Sequence, residues 1–470
     1  MKKLLSILLT VLLVAGLSVT VMADEPANVV GYSADRVVPV DLADVWCISD
    51  YYDSPLTTTA YKIVDAQDLV KFAGYVNDGE AFAGKTIYLA FDINMTDVAF
   101  TPVGKVAASA FKGTFDGQGH VIDNLVCTID GKTSDIKNIG LFGNTVNATI
   151  KNLVLGSNCS FTYTHADNDY TNVRIAAIVG NMRAGTTIDN VYTAAAVTGG
   201  NYVGGITAFS DPGPDATPRA IKNTTQAGAV HAKAGRVGGV VGLTAGTALE
   251  IRNCRNAGSV TSDGTDANWA SAGGFIGDCW NSADSLGSVL IDGCINNGAI
   301  KGGSAGGFFG KIQREVTLTN SLNYGTTEGN VVGGLVAKIN NEAATVLTDS
   351  EDKSQSSETD ATLSTLPTIT PDYPTPDEIT AEKNSYKNNN NNNNNNNDNT
   401  NDTTEPSGDT TTAEKNTTAA PTPDTTPSTT APTTEAPAEE KKGCGSVVAG
   451  GIALVMLTAC AALTVCKKKD

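Results

Sequence analysis

A degenerate repeat through the middle of this chain restricts the possible folds more than any other feature. Each copy joins an Ile-x-Asn segment to a Gly-Gly pair that lies between apolar residues. The Ile-x-Asn segments begin at Ile188, Ile221, Ile251, Ile291 (where Gly293 replaces the Asn) and Leu318. The Gly-Gly pairs are at 204–205, 238–239, 273–274, 306–307 and 333–334. A period of roughly 27 to 40 residues indicates a stacked array of similar units. The repeated residues therefore predict a scaffold and specify no reaction.

One leg of each copy has a constant length, while the other two legs vary. The same interval after the start of the Ile-x-Asn segment leads in turn to Val197, Val230, Val260, Ile300 and Thr327. Three short β-prone stretches per copy predict one triangular coil, with coils stacked in parallel about 4.8 Å apart. The paired glycines are expected to permit a positive φ or a close approach of backbone. A hydrogen-bonded ladder at one corner is predicted for the asparagines at 152, 190, 223, 253 and 320.

The repeat resembles the GLUG-type repeat of bacterial surface proteins. Residues 251–260 read Ile-Arg-Asn-Cys-Arg-Asn-Ala-Gly-Ser-Val, and a Gly-Gly pair follows at 273–274. Residues 111–120, Phe-Lys-Gly-Thr-Phe-Asp-Gly-Gln-Gly-His, resemble the segment that precedes the repeats in the same proteins. Similar segments occur in adhesin-like proteins and in the non-catalytic parts of some IgA-cleaving proteases. Over residues 61–339, the resemblance implies a right-handed parallel β-helix and transfers no catalytic residue.

Both ends of the chain have the patterns of an exported, membrane-anchored protein. Residues 1–23 place two Lys before an apolar stretch and small residues before Asp24, as in a signal peptide. Residues 446–466 form an apolar run long enough to span a bilayer, and the Lys-rich tail 467–470 is expected to be cytoplasmic. This layout resembles that of wall-anchored surface proteins of Gram-positive bacteria, but no LPxTG motif precedes the apolar run. Retention in the membrane is therefore expected, with the body of the chain outside the cell.

The remaining segments differ in composition. Residues 24–60 form a poorly patterned extension, and 61–135 are expected to hold the N-terminal cap and first coils, with a short amphipathic helix over 65–76. The repeat region proper spans 136–347. Residues 348–442 are rich in Thr, Pro and Asn and are expected to be a disordered stalk. The predicted fold class is all-β: a β-helix solenoid with a capping helix, a stalk and one transmembrane helix.

Charge and cysteine content exclude some partners. The formal charge of −18 disfavours nucleic acid, which requires a cationic surface. The nine cysteines show no metal-ligand spacing. Cys254 and Cys294 occupy the same position in successive copies, where they either form a disulfide or pack as small apolar groups.

The candidate ligand-binding residues lie in insertions that interrupt the repeat. Such loops often form the binding face of a repeat array, and aromatic rings near Asp and Asn can stack on sugars. The candidates are Tyr163, His165, Tyr170, Trp269 and Trp280. The expected partner is an extracellular glycan or protein, in addition to membrane lipid around the C-terminal helix.

Three functions are compatible with these observations. The sequence contains no Ser/His/Asp order, HExxH, P-loop or zinc-type cysteine pairing, so no catalytic, metal or cofactor residue is predicted. A non-catalytic, adhesin-like surface protein is the favoured interpretation. A polysaccharide lyase or glycoside hydrolase is the first alternative and would require clustered carboxylates. A passive structural spacer is the second.

Overall fold

The computed structural model describes residues 30–211, 217–246, 248–281, 287–340, 345–356, 360, 363 and 366–395. All of them belong to one compact unit, Met1–Thr400. The expected signal peptide at 1–23 and the apolar run at 446–466 lie outside these residues. Within them, no helix combines the length and the apolar character needed to cross a bilayer.

The strands of the described ranges form three sheets, and every strand pair is parallel. The first sheet has 18 strands: Trp46–Cys47, Ala60–Ile63, Thr86–Leu89, Ile93–Asn94, Thr114–Asp116, Val121–Asp123, Thr149–Leu155, Thr187–Thr193, Arg219–Lys222, Thr225–Gln226, Leu249–Arg252, Arg255–Asn256, Val289–Asp292, Ile295–Asn296, Val316–Thr319, Leu322–Asn323, Thr345–Thr348 and Glu351–Asp352. It contains the Ile-x-Asn segments.

The other two sheets lie on either side of the Gly-Gly pairs. The second sheet has 12 strands: Val126–Asp130, Asn138–Ile139, Ser160–Thr164, Arg174–Ala176, Ala196–Gly199, Tyr202–Gly204, Val230–Ala232, Arg236–Gly238, Val260–Ser262, Ser271–Gly273, Ile300–Gly306 and Thr327–Gly333. The third sheet has seven: Phe142–Thr145, Val179–Met182, Thr207–Ser210, Val241–Thr244, Ile276–Cys279, Phe309–Ile312 and Val336–Ile339. From Val126 onward the chain visits the sheets in this order once per turn, which gives a solenoid-like all-β fold.

The register between turns places equivalent repeat residues on top of one another. Ile188 pairs with Ile221, which pairs with Ile251 and so on to Leu318 in the first sheet. These side chains are buried in one continuous apolar core. Phe275 and Phe308 stack in that core with ring centroids 4.7 Å apart. Burial of apolar surface between neighbouring turns is therefore what holds the array together.

The recurring asparagines are explained mainly by backbone geometry. Asn190, Asn223 and Asn253 have φ of 53°, 48° and 55°, and Gly293 takes their place with φ 63°. This left-handed conformation favours Asn and Gly. The predicted ladder is partial: Asn190 donates to Asn152 at 3.0 Å, but Asn223 donates to an Asp of the previous turn.

A second, fully buried ladder was not predicted. Asn256 Nδ2 donates to Asn296 Oδ1 at 2.7 Å, and Asn296 Nδ2 donates to Asn323 Oδ1 at 2.8 Å. Because each amide can both donate and accept, Asn296 links Asn256 to Asn323 inside the fold.

The two cysteines at the repeat position are stacked free thiols. The Cys254 amide N–H donates to Cys294 Sγ at 3.3 Å, and the Cys294 amide N–H donates to Ser321 Oγ at 3.1 Å. Thr224 occupies the same position one turn earlier. Thiols and hydroxyls at this corner thus bond the backbone where the first sheet is interrupted. Of the two alternatives for the cysteines, the structure has packing.

The Gly-Gly pairs permit close approach and not positive φ. None of these glycines, all of which fall within the described ranges, has a positive φ. A Cβ at Gly238 would lie 2.0 Å from the Val241 carbonyl oxygen, and one at Gly239 would lie 2.2 Å from the corresponding oxygen of Gly274. The pairs therefore mark the place where the second sheet turns into the third with no room for a side chain.

Helix α1, Ala66–Asn77, confirms the predicted amphipathic helix. Its N-cap Asp65 accepts the Asp68 amide N–H at 2.9 Å, and Leu69, Phe72, Ala73 and Val76 are buried. Phe72 contacts Phe111 and Phe115, with ring centroids 5.6 and 5.9 Å away. The helix follows the strand Ala60–Ile63 and occupies the place that strands of the other sheets take in later turns. Three 3-10 helices, Ala34–Arg36, Ile48–Asp53 and Ala107–Ser109, complete this half.

The disordered stalk predicted for 348–442 requires correction in its described part. The strands Thr345–Thr348 and Glu351–Asp352 add another turn to the first sheet, and helix α2 spans Pro376–Asn395. In α2, Tyr386 is buried against Trp46, with ring centroids 4.6 Å apart. The composition is polar, but a few side chains with specific partners order the segment.

Helix α2 contacts the N-terminal end of the solenoid through charged groups. Lys62, which is fully buried, donates to Glu382 Oε1 at 2.5 Å and to Ser385 Oγ at 2.8 Å. Lys383 donates to Asp65 at 2.6 Å. The segment before α2 runs along the first sheet, where the Asp372 amide N–H donates to a carboxylate oxygen of Asp92 at 2.7 Å. The chain after the last turn therefore returns to the first one.

Candidate functional site

The first predicted insertion is packed onto the solenoid. Tyr163 is buried, and its hydroxyl accepts a hydrogen bond from Lys137 at 2.9 Å. Tyr170 lies edge-on to it with ring centroids 6.0 Å apart. His165 is half-buried, and its ring accepts the Asp167 amide N–H at 3.3 Å. These contacts give Tyr163 a role in holding its own loop, so it offers no free face to a ligand.

The two tryptophans occupy opposite ends of the same stretch of chain. Trp269 precedes the second-sheet strand Ser271–Gly273, and Trp280 follows the third-sheet strand Ile276–Cys279. Their exposed fractions are 45% and 43%. The first insertion is three register steps from the one that contains Trp269, since Thr162, Thr198, His231 and Thr261 pair in succession. The predicted residues therefore do not form a single site.

The ring of Trp269 packs against an arginine. The guanidinium carbon of Arg236 is 4.0 Å from the Trp269 ring centroid, a cation–π contact. Arg236 Nε donates to Asp278 Oδ2 at 2.9 Å, and Gln313 donates to the same carboxylate at 2.8 Å. Arg236 is 7% exposed and Asp278 fully buried. The indole is thus held by an arginine of a buried ion pair, while the residue as a whole stays 45% exposed.

Two lysines fix the loop that carries this ring. Lys311 Nζ donates to the Asn268 carbonyl oxygen at 3.2 Å, and Lys338 donates to the Asn268 side chain. The pKa of Lys311 is lowered, first by burial and also by the nearby Arg236 and Lys338, against the opposing effect of Asp278. The turn itself is closed by Asp266, whose carbonyl oxygen accepts the Trp269 amide N–H at 3.1 Å.

We call Arg236, Trp269, Asp278, Lys311 and Lys338 the Trp269 cluster. Its members come from four successive turns and meet through strand register, because Asp278 pairs with Lys311 and Lys311 with Lys338. Asp278, Lys311 and Lys338 of the third sheet therefore lie across the Gly-Gly corner from Arg236 of the second sheet and from the loop of Trp269.

The same corner carries an aromatic patch farther toward the N-terminal end. Phe209 and Leu243 form a small apolar cluster outside the main core, with Tyr202 packed against it. The guanidinium carbon of Arg174 lies 4.6 Å from the Phe209 ring centroid. Burial lowers the pKa of Arg174, and Asp211 partly opposes this. Phe209 is 7% exposed, so the patch offers much less surface than Trp269.

A cavity lies on the other side of the Trp269 loop. Its volume is about 390 Å³, and most of its lining residues have polar side chains: Thr261, Ser262, Asp263, Gly264, Thr265, Lys301, Gly302, Glu328, Gly329 and Asn330. Asn330 donates to the Thr265 carbonyl oxygen at 2.8 Å, which ties the loop to a later turn. Asp263 accepts a hydrogen bond from His231 at 2.9 Å. A volume of this order is in the usual range for small-ligand sites.

Sequence reasoning found Trp269 and missed its supporting residues. None of Arg236, Asp278, Lys311 and Lys338 is among the candidates predicted from sequence. The sequence does contain a spacing that relates all of these residues except Arg236. A Gly-Gly pair is followed at the same interval by Phe209, Leu243, Asp278, Lys311 and Lys338. Aligning the copies on the glycines predicts that these residues stack in one row.

The acidic residues of the repeats have structural partners. Asp189 accepts from Asn223 and Asp292 accepts from Asn320, both at 2.9 Å. Among the residues that the structure describes, no group of three or more His, Cys, Asp or Glu side chains is placed to hold a metal ion.

Fold and site together define the class: a solenoid-like all-β protein of parallel sheets with an aromatic and cationic cluster on its surface. No protein-family model matches the chain, and no curated protein does. Among solved structures, the chain is similar to the crystal structure of a "putative immunoglobulin A1 protease" from Bacteroides ovatus. The sequence identity is 18%, the TM-score 0.46, and the match covers 63% of this chain and 85% of that one. No functional property follows from a similarity of this size.

Proposed function

We propose that this chain is a non-catalytic binding protein displayed outside the cell, and that its ligand is a glycan. The observation that carries the proposal is Trp269, which is 45% exposed although the Arg236 guanidinium packs against its ring. An exposed aromatic ring can stack on the apolar face of a sugar ring and serve as its platform.

The rigidity of the platform supports a binding role over a structural one. A Trp that only covers a strand edge needs no buried ion pair beneath it. Here the Arg236–Asp278 pair and two lysines hold the loop before any ligand arrives. Because little side-chain entropy remains to be lost on association, such preorganisation increases affinity. The polar cavity beside the loop supplies donors and acceptors for sugar hydroxyls.

The same proposal includes the finer features expected from sequence. Residues 1–23 direct export, and 446–466 retain the chain in the membrane. The coils are GLUG-type repeats that wind in a right-handed sense, as parallel strand connections almost always do.

A glycan array probed with the full-length chain tests this function. We expect binding to a restricted set of glycans and at least about thirty-fold weaker binding by Trp269→Ala, because a central aromatic residue typically contributes about 2 kcal/mol. Trp280→Ala is the matched control, since it removes an equally exposed indole at the other end of the stretch. It should bind as the unmodified chain does.

Two results would contradict the proposal. An array without any bound glycan would exclude a glycan ligand. Loss of binding in Trp280→Ala but not in Trp269→Ala would move the site away from the Trp269 cluster.

A further inference from the structure

The residues that support Trp269 also give its surroundings a positive charge. Lys311 lies within electrostatic range of Arg236, Lys338, Asp278 and Asp266. On this side of the loop there are thus three cations and two carboxylates, a net of one positive charge, whereas the cavity on the other side has Lys301 against Asp263 and Glu328. The whole chain has a formal charge of −18, so this sign is opposite to that of the molecule.

The buried carboxylate is already used within the cluster. Asp278 accepts hydrogen bonds from Arg236 and Gln313 and is fully buried, so it neutralises Arg236 and does not face a ligand. Lys338 is only half-buried and donates to the Asn268 side chain. An ammonium group has three donors, and therefore this contact leaves N–H groups for an anion next to Asn268, the residue before Trp269.

Salt screening makes such a local charge effective. At an ionic strength of 0.1 M the Debye length is about 10 Å. The acidic surface beyond that distance is largely screened from a bound ligand, whereas Lys338 and Lys311 contact the same loop as Trp269. An anion is therefore attracted at this place and repelled by the chain elsewhere at low salt.

We propose that the Trp269 site selects negatively charged sugars, with the sugar ring on the indole and its anionic group at Lys338. This inference rests on the proposed glycan-binding function and specifies its ligand class. A carboxylated sugar supplies the required oxyanion, and a sulfated sugar presents the same chemistry.

Titration of the full-length chain with matched oligosaccharides tests the selectivity. The probes are an oligogalacturonate, the same oligosaccharide after reduction of its carboxyl groups, and a sulfated form of the reduced oligosaccharide. We expect the carboxylated probe to bind at least about ten-fold more tightly than the neutral one at low salt. The difference should shrink in 1 M salt, where the Debye length falls to about 3 Å. The sulfated probe shows whether any oxyanion suffices.

Variants separate this inference from the function on which it rests. Lys338→Met should abolish the preference for the charged probes, so that charged and neutral probes bind equally. The variant also removes one contact to the loop of Trp269, and any weakening from that loss is common to all three probes. Trp269→Ala should weaken all three. Lys71→Met, on the exposed side of α1, makes the same change in net charge. It should alter neither the preference for charged probes nor the affinity for the neutral one. Equal affinity for charged and neutral probes, lost in Trp269→Ala, would overturn the selectivity and keep the function. Binding of none of the three probes would overturn the selectivity, and the glycan array decides separately whether the function stands.

Discussion

At the scale of single residues, the repeat is conserved between turns where a side chain would collide with the turn beside it. A Cβ at Gly258 would lie 1.9 Å from the Gly228 carbonyl oxygen, and one at Gly298 would lie 2.0 Å from that of Gly258. Asn253 recurs for another reason, because its φ of 55° disfavours most other residues. Gly marks contact of backbones between turns, and Asn marks a bend within one turn.

A pair of Gly→Ala substitutions tests this distinction. Gly258→Ala should lower the free energy of unfolding by about 3 kcal/mol or more, since backbone has to move to make room for the methyl group. Gly74→Ala is the control, because a Cβ there meets nothing within 4 Å and the residue lies inside α1. It should raise stability by about 0.5–1 kcal/mol. Thermal or denaturant unfolding measures both, and equal effects would show that contact between turns does not explain Gly258.

At the scale of elements, the local sequence pattern predicted those helices and strands whose formation depends on contacts with residues nearby in the sequence. The spacing of Leu69, Phe72 and Val76 predicted α1, and the coil followed from the repeat. Helix α2 escaped prediction because its order depends on partners more than 300 positions away in sequence, such as Lys62 for Glu382. A prediction of disorder from composition treats the segment as a whole and gives no weight to a single residue such as Tyr386. The burial of Tyr386 against Trp46 anchors the helix.

The residues of the candidate site also divide into one that the local sequence predicts and others that only the stacking of turns brings together. Trp269 was predictable because an insertion is visible in one copy of the repeat. Arg236 and Asp278, which are 42 residues apart, become neighbours only when the turns are stacked. Sequence reasoning compared the copies at the Ile-x-Asn segments and did not align them on the glycines, so the row that ends in Lys338 was missed.

Loss of the charge at Glu382 should loosen α2. Lys62 is fully buried, and Glu382→Gln would leave it without an ionised partner at 2.5 Å. We expect stability to fall by roughly 1–3 kcal/mol, because a buried charge is costly when its partner is weakened. Asp377→Asn, an exposed position of the same helix, should stay within about 0.5 kcal/mol. Faster proteolysis within α2 for both variants alike would contradict a specific role for the ion pair.

At the scale of the whole molecule, the described residues after the last turn of the solenoid pack against its first turns. In many repeat arrays each unit contacts only its neighbours, and stability is a sum over units and their interfaces. Here two extended segments run along the first sheet and connect distant turns. The Tyr32 amide N–H donates to Thr225 Oγ1 at 2.9 Å, and Ile369 packs against the cluster that contains Tyr32 and Tyr192. Contacts of this kind couple the first turns to the residues that follow the last.

Removal of residues after Ser356 should therefore destabilise the opposite end of the solenoid. This truncation keeps the strands Thr345–Thr348 and Glu351–Asp352 and deletes every partner that α2 gives to Lys62. Amide hydrogen exchange should accelerate in Ala60–Ile63 and change little in Val289–Asp292, because local opening follows the loss of local contacts.

A second truncation, after residue 395, is the control for this experiment. It retains α2, so its exchange pattern should match that of the full chain across the described strands. If the shorter truncation instead accelerated exchange only near Glu351–Asp352, the array would behave as a sum of nearest neighbours and the contacts of α2 would carry no stability. Faster exchange at Ala60–Ile63 in the shorter chain alone would place the stabilising contact between the returning helix and the first turns, where Lys62 is buried.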